Sequence, residues 1–290
     1  MRIALATCSE LPGLDREGQI LAAAIEARGV EVTPAIWNQH NVDWDLFDLV
    51  VIRSTWDYQY HLRSFVSWGS SIGSRLQNSI ELVSWNASKR YLEELQAWGF
   101  DTVPSLFIGP NDDVALPDYG GFVVKPAVSA GSKDTARYDQ ERKHEALMHA
   151  QQLQSKGREI LVQPYRDSVD TVGEIALVFL NGRFSHAMTK AALLRLDETF
   201  ELGLFRKEDM SLAVPRAIDL EIGTRLLSDI SERIAVPLYA RVDLVRNVDG
   251  KPEVLELELI EPSLFLDYAP NAEHRLAVEI LRRCQARPSR

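Results

Sequence analysis

Two segments near the carboxyl end, residues 238–245 (LYARVDLV) and 253–260 (EVLELELI), place charged residues at alternate positions among apolar ones. Side chains alternate across a strand, so Arg241 and Asp243 share one face of the first, and Glu256 and Glu258 one face of the second. Leu255, Leu257 and Leu259 then fill the opposite face. If the two polar faces coincide, three carboxylates and one guanidinium converge on a small patch of sheet. Carboxylates that close do not all stay ionised without compensation. A hard divalent cation supplies it, and oxygen ligands suit Mg²⁺, which phosphate oxygens and water complete. Arg241 would face those phosphates or a developing oxyanion. A solvent-facing sheet with a cross-strand Arg–Glu pair accounts for the same residues. Glu261-Pro262 and the aromatic-rich SLFLDY directly downstream weigh toward a built pocket.

A complementary set of cations lies upstream. Lys125 ends the apolar run FVVK and precedes Pro126 and the small-residue loop AVSAGSKDT. An ammonium at the end of a buried strand wants an anion, and a Ser/Ala/Gly loop lets backbone N–H groups close over phosphates. A snorkelling lysine beside a polar turn explains that segment equally well. Lys89 is expected in the first turn of a helix, where the macrodipole disfavours a cation, which points to an anionic partner; a harmless exposed lysine is the alternative. Gln163-Pro164-Tyr165 ends a strand and leaves backbone groups free to read an adenine edge. Glu174 opens the next strand, within reach of ribose hydroxyls. His186 and Lys190 stand where the run FSHAMTK gives out.

These residues need a scaffold, and the patterning predicts one. Residues 2–7, 30–37 and 49–54 read as strands, and residues 16–28 as a helix closed by Gly29. With a helical pattern at 62–76 and a short run at 81–85, this makes a parallel α/β unit. Asn86 reads as the N-cap of a helix running through Trp98. Beyond it the texture changes to strands at 122–125, 160–163, 175–180, 184–188, 238–245 and 253–260, two pairs of them joined by hairpin links at Asn181-Gly182 and 247–250. Helices are expected at 140–157, 212–234 and 272–285. The fold class is therefore α/β and α+β: a Rossmann-like head, residues 1–85, and a larger body, residues 86–290.

Length and composition agree. A chain of 290 residues fits about two domains. The net charge of −10 argues against a nucleic-acid or anionic-membrane surface, while leaving room for a local basic pocket. No apolar run approaches the ~20 residues that span a bilayer, and the amino terminus reads as a strand rather than a leader. Two cysteines at opposite ends suggest a reducing, cytoplasmic setting. P-loop, dinucleotide and nucleophile-elbow motifs are absent. His144-Glu145 and His149 have the wrong spacing for a zinc site and read as a solvated helix.

Taken in order, two lysines, a small-residue loop, a strand exit, a Glu, then Arg-x-Asp and Glu-x-Glu resemble the ATP-grasp ligase superfamily. The segments VIRSTW, KRYLEEL, FVVKPAVSAGSKDTARY, VQPYRDSVDTVGE, FSHAMTKAALL and RVDLVRNVDGKPEVLELELIEPSL resemble its branch of cycloserine-forming cyclo-ligases, which activate the carboxylate of an O-ureido amino acid and close a ring. The resemblance implies ATP and Mg²⁺ as cofactors, a small-molecule carboxylate as substrate, and an acyl phosphate captured by nitrogen, either within one molecule or between two. A nucleotide-binding module without chemistry is the rival from another class; the intact acidic set opposes it. The resemblance further implies a pre-ATP-grasp head and two lobes, about 102–167 and 168–290, that clasp the nucleotide. Lys89 and Lys125 would contact phosphates, and the 129–133 loop (Ser129, Gly131, Ser132) would fold over them. Gln163, Pro164 and Tyr165 would line the adenine site and Glu174 would meet the ribose. Asp243, Glu256 and Glu258 would hold Mg²⁺, and Arg241 would stabilise the tetrahedral intermediate. Arg53, His186 and Lys190 would lie on the substrate side. The 189–209 segment would act as a second lid, and a homodimer is an open expectation. Two departures stand out. Glu258 occupies a position that is commonly Asn in ATP-grasp ligases, and AVSAGSK replaces a bulkier, Asp-containing loop of the cyclo-ligase, which points to a different substrate.

Overall fold

The computed structural model of the chain describes residues 1–194 and 210–286. The head begins with β1 (Arg2–Thr7), α1 (Arg16–Glu26), β2 (Glu31–Ile36), β3 (Leu49–Ser54), α2 (Leu62–Ile72) and β4 (Leu76–Gln77). Its strands form a parallel sheet in the order β2-β1-β3-β4. Both faces are covered, which is why β1 and β3 read as near-continuous apolar runs. Ile3, Leu5, Leu49 and Val51 pack toward Leu21 and Ile25 of α1, whereas Ala4, Ala6, Val50 and Ile52 pack toward Phe65 and Ile72 of α2.

The passage from head to body differs from expectation. The short run read at 81–85 is a helix, α3 (Ile80–Asn86), and the helix expected from Asn86 to Trp98 begins only at Tyr91, as α4 (Tyr91–Ala97). Asn86 ends α3 instead of capping a helix. Its amide serves a neighbouring strand, donating to the Leu257 carbonyl at 2.9 Å and accepting from the Leu259 N–H at 2.8 Å. Lys89 consequently lies in the link between the two helices, where its own N–H donates to the Ala127 carbonyl at 2.8 Å.

The next sheet comprises β5 (Leu106–Ile108), β6 (Gly121–Pro126), β7 (Ala136–Asp139) and β8 (Ile160–Pro164), antiparallel in the order β5-β8-β6-β7. Helix α5 (Lys143–Gln154) covers one face, with Ala146, His149, Ala150 and Leu153 packed on Phe122, Val124, Tyr138 and Val162. The expectation of a solvated helix is thus corrected at His149, which is buried with Nδ1 3.1 Å from the Tyr138 hydroxyl. Helical periodicity puts 146, 149, 150 and 153 on one stripe, and the histidine rides with the alanines.

After α6 (Ser168–Thr171) come β9 (Glu174–Leu180), β10 (Arg183–Lys190), β11 (Met210–Ala213), α7 (Ala217–Arg233), β12 (Tyr239–Arg246), β13 (Pro252–Glu258) and α8 (Ala272–Gln285). The five strands form an antiparallel sheet in the order β11-β10-β9-β12-β13. Asn181 and Gly182, both at positive φ, make the expected tight hairpin between β9 and β10. The helix predicted at 212–234 starts at Ala217, because residues 210–213 pair with β10 as an edge strand. The predicted lid at 189–209 begins with the last two residues of β10; positions 195–209 lie outside the described residues. One face of this sheet buries Leu177, Phe179, Ala240, Val242 and Leu257 beneath Leu226, Leu227 and Ile230 of α7. The other face carries the charged residues. Helix α8 returns to the head, where Leu276 and Ile280 join the cluster of Leu21 and Ile25.

Candidate active site

Between the small sheet and the charged face of the large one lies a cavity of about 380 Å³. Fourteen of the sixteen predicted site residues line it: Lys89, Lys125, Ser129, Gly131, Ser132, Gln163, Pro164, Tyr165, Glu174, Lys190, Arg241, Asp243, Glu256 and Glu258. Trp56 and Tyr58, which follow β3, also line it. Arg53 and His186 do not line the cavity. Both lie behind the 262–265 turn that forms part of its wall: Arg53 donates to the Pro262 carbonyl at 3.2 Å, and His186 Nε2 donates to the Leu264 carbonyl at 2.8 Å.

Strand register explains the acidic patch. Arg241 faces Glu258 across the β12–β13 pair and Asp243 faces Glu256. The register then slips, so that Leu244 pairs with Val254 and Leu255 becomes the extra residue of a bulge. This corrects the expectation that Leu255 shares a face with Leu257 and Leu259. Those two enter the α7 core, while Leu255 lines the cavity beside Val245.

Every carboxylate of the patch is held by a cation. Arg241 grips Asp243 with two nitrogens, each bond 2.9 Å, and its Nη2 also reaches Glu258. Lys190 bridges Asp243 at 2.9 Å and Glu174 at 3.0 Å. Lys89 reaches Glu256 at 3.0 Å and the Ser129 hydroxyl at 2.9 Å, with Lys125 4.0 Å from the same glutamate. Four cations thus interlock with four carboxylates, and buried charges of this kind persist only when paired.

Proton affinities follow the pairing. Burial alone would raise the Asp243 carboxyl, but Arg241 and Lys190 overcome it and hold the group at about 2. Burial works against Glu256 as well, and Lys89 and Lys125 bring it below the usual carboxylate range. Glu258 goes the other way, raised to about 7 by burial and by repulsion from Glu256 and Asp243, which Arg241 only partly offsets. Burial pushes the Lys125 ammonium down, with Glu256 opposing.

The loop after β6 is built differently. Gly131, Ser132 and Asp134 have positive φ, which turns the chain tightly over the cavity. Arg158 pins both ends: its guanidinium donates to the Val128 carbonyl at 2.6 Å and to Asp134 at 2.5 Å. At the opposite wall, Gln163 is buried and donates to the Ser105 hydroxyl at 2.9 Å. The Tyr165 ring lies beneath the Arg137 guanidinium at 3.4 Å, and its hydroxyl donates to Asp170 at 2.6 Å.

Sequence reasoning missed Asn86, Arg158 and Glu17, all three acting on backbone groups far away in the chain. A buried Asn at a helix end was legible as a cap, though not as a clamp on a strand 171 residues downstream. Nothing in the local pattern announced Arg158 or Glu17.

The comparisons with known proteins match this geometry. The profile of the D-cycloserine synthetase DcsG N-terminal domain matches residues 3–78. The cycloserine biosynthesis protein DcsG of Streptomyces lavendulae is 32% identical over 295 residues, covering 97% of this chain and 98% of that protein. The chain belongs to the DcsG family of ATP-grasp ligases. The crystal structure of D-cycloserine synthetase DcsG superposes with a TM-score of 0.87 at 31% identity, covering 98% of this chain and all (100%) of the other. D-alanine–D-alanine ligase from Bacillus anthracis, solved with ATP, shares the fold alone, with a TM-score of 0.65 at 17% identity over 98% of this chain and 97% of that one. The ATP-grasp fold and its assignment to carbon–nitrogen ligation accord with the expectation from sequence. Among the described residues no helix is long and apolar enough to cross a membrane.

Proposed function

We propose that the cavity binds ATP with Mg²⁺ and converts the carboxylate of a small, amino acid-like substrate into an acyl phosphate. A nitrogen nucleophile then captures the acyl group, releasing ADP and phosphate. The supporting observation is the interlocked set of four cations and four carboxylates in one cavity. Such a set is neutral by itself and can trade partners: phosphate oxygens for the lysines and a divalent cation for the carboxylates.

The donor set fits the metal. Asp243, Glu256 and Glu258 are hard oxygen donors at adjacent cross-strand positions, although among the described residues no three such groups are already gathered as a ligand set. When bound, Mg²⁺ neutralises phosphate charge and orients the nucleotide. Lys89 and Lys125, released from Glu256, bind phosphate oxygens, and the N–H groups of the 129–133 loop cover them. Gln163, Pro164 and Tyr165 frame the adenine, and Glu174 accepts from the ribose. The substrate carboxylate attacks the γ-phosphorus in line, a step governed by positioning and charge. Nitrogen then adds to the acyl carbon, Arg241 holds the oxyanion, and phosphate departs with the oxygen that came from the carboxylate. Lys190 keeps Asp243 ionised and in place throughout.

A specific observation favours the cyclising form of this reaction: full-length kinship with DcsG, in which activated acid and nitrogen would sit in one molecule. We place the boundary between head and body at residues 85 and 86, with lobes 102–167 and 168–290, and the chain in the cytoplasm, where Cys8 and Cys284 stay as the buried free thiols seen here.

The test is ADP release on mixing the protein with MgATP and O-ureido-serine or a panel of amino acids, with products weighed by mass spectrometry. Substrate-dependent ADP with a ring product derived from one substrate molecule supports cyclisation, and a two-substrate adduct supports the intermolecular form. ADP that no member of the panel stimulates would sink the ligase proposal.

A further inference from the structure

The turn at 262–265 (PSLF) has almost every backbone polar group taken by a side chain from elsewhere. Glu17, in the first turn of α1, accepts from the Leu264 and Phe265 N–H groups, both at 2.8 Å. Arg53, on β3, donates to the Pro262 carbonyl at 3.2 Å and lies 3.5 Å from the Glu17 carboxylate. His186 donates to the Leu264 carbonyl at 2.8 Å. The carbonyl of Ser263, a residue of the cavity wall, accepts from Arg241 Nη1 at 3.2 Å, and the Phe265 ring lies 5.5 Å from the same guanidinium.

We propose that Glu17 and Arg53 are positioning residues for Arg241, acting through this turn. The idea rests on the reading of Arg241 as oxyanion holder given above. Two observations set it apart from plain scaffolding. The Arg53 side chain is 2% exposed, and its Nε and Nη1 have no hydrogen-bond partner. A buried guanidinium with unpartnered nitrogens is less stabilising than a well-packed apolar side chain of similar volume, so stability alone is a poor account of it. Furthermore, the fork places both head residues on the stretch that aims Arg241, and neither touches the cavity. The head thereby sets the angle of a guanidinium held in the large sheet. Phe265, at a positive φ of 52°, keeps the turn in a shape that has few alternatives once its N–H is engaged.

Misaiming Arg241 would weaken capture of the acyl group more than its formation, so water would take a larger share of the acyl phosphate. The experiment compares ADP and ring or adduct product from the full chain with MgATP and O-ureido-serine, for wild type and Glu17→Gln. The expected result is a fall of about tenfold in kcat for product, an ADP-to-product ratio raised about threefold, and a KM for ATP within about twofold of wild type. Should Glu17→Gln lose its folded circular dichroism, Arg53→Met serves instead. It keeps bulk, removes the two unpartnered nitrogens, and is expected to raise the same ratio about twofold. An unchanged ratio and kcat in the folded variant overturns the positioning role, whatever happens to the melting temperature. Where another amino acid of the panel is the one that stimulates ADP release, it replaces O-ureido-serine, and a wild type that releases no ADP with any member overturns the ligase reading and the positioning role with it.

Discussion

The two walls of the cavity are held in different ways. On the large sheet, Arg241, Asp243, Glu258 and Lys190 form a continuous mesh anchored on paired strands, and each group restrains its neighbours, while Glu256, opposite Asp243, is held by Lys89 and Lys125. Across the cavity, the 129–133 loop is held at its two flanks by the guanidinium of Arg158 and at Ser129 by the ammonium of Lys89. One wall is an array of charge fixed on paired strands; the other is a flap held by two cations, Arg158 at its flanks and Lys89 at Ser129. The contrast suits a reaction that needs aligned charge at the phosphates and a cover that admits a nucleotide and then shuts out water.

The strongest way to break this contrast is at the mesh. Asp243→Asn should lower kcat for substrate-dependent ADP release at least about a hundredfold, because the proposed metal ligand and the anchor of Arg241 go together. It should also cost roughly 3 kcal/mol in urea unfolding, since Arg241 and Lys190 lose the carboxylate they share. Activity near wild type would show that the mesh is structural only.

The small-sheet wall offers a pH test that leaves the mesh untouched. Burial lowers the His149 imidazole to about 4, so the folded chain keeps it neutral while the unfolded chain takes a proton near 6.5. The stability tied to the neutral form is complete above pH 6.5, falls as pH drops toward 4, and is lost below that. The full span is roughly 3 kcal/mol. His149→Gln should flatten this part of the stability profile in denaturant melts at a series of pH values. A parallel profile for both proteins would contradict the burial argument.

The smallest effect is expected at Arg158, at the flanks of the flap. Arg158→Ala should raise the KM for ATP about tenfold and leave kcat within a few-fold, because the flap closes less often but covers the same chemistry. A loss confined to kcat would instead tie Arg158 to the reacting centre.

The sequence carried the mesh better than the flap, and periodicity explains why. Alternation put Arg241 with Asp243 and Glu256 with Glu258, and strand pairing did the rest. The bulge at Leu255 was not legible, because an extra residue leaves the apolar pattern EVLELEL unchanged. Similarly, the helix read from Asn86 through Trp98 begins only at Tyr91, and Ser88, Lys89 and Arg90 contain no Gly or Pro to mark the link, where the Lys89 N–H bonds the Ala127 carbonyl. The resemblance put Arg53 and His186 on the substrate side, and His186 also stands where an apolar strand gives out. Their partners are backbone carbonyls of a turn more than 70 residues away, contacts that single-strand patterns do not encode.

The most direct test of the central claim is isotope transfer from the acid to phosphate. O-ureido-serine, or whichever amino acid of the panel stimulates ADP release, is labelled with heavy oxygen in its carboxylate and turned over with MgATP. If the carboxylate attacks the γ-phosphorus, each phosphate released carries one labelled oxygen, and Asp243→Asn abolishes both label and ADP. Phosphate without label, formed alongside the carbon–nitrogen product, would contradict activation through an acyl phosphate.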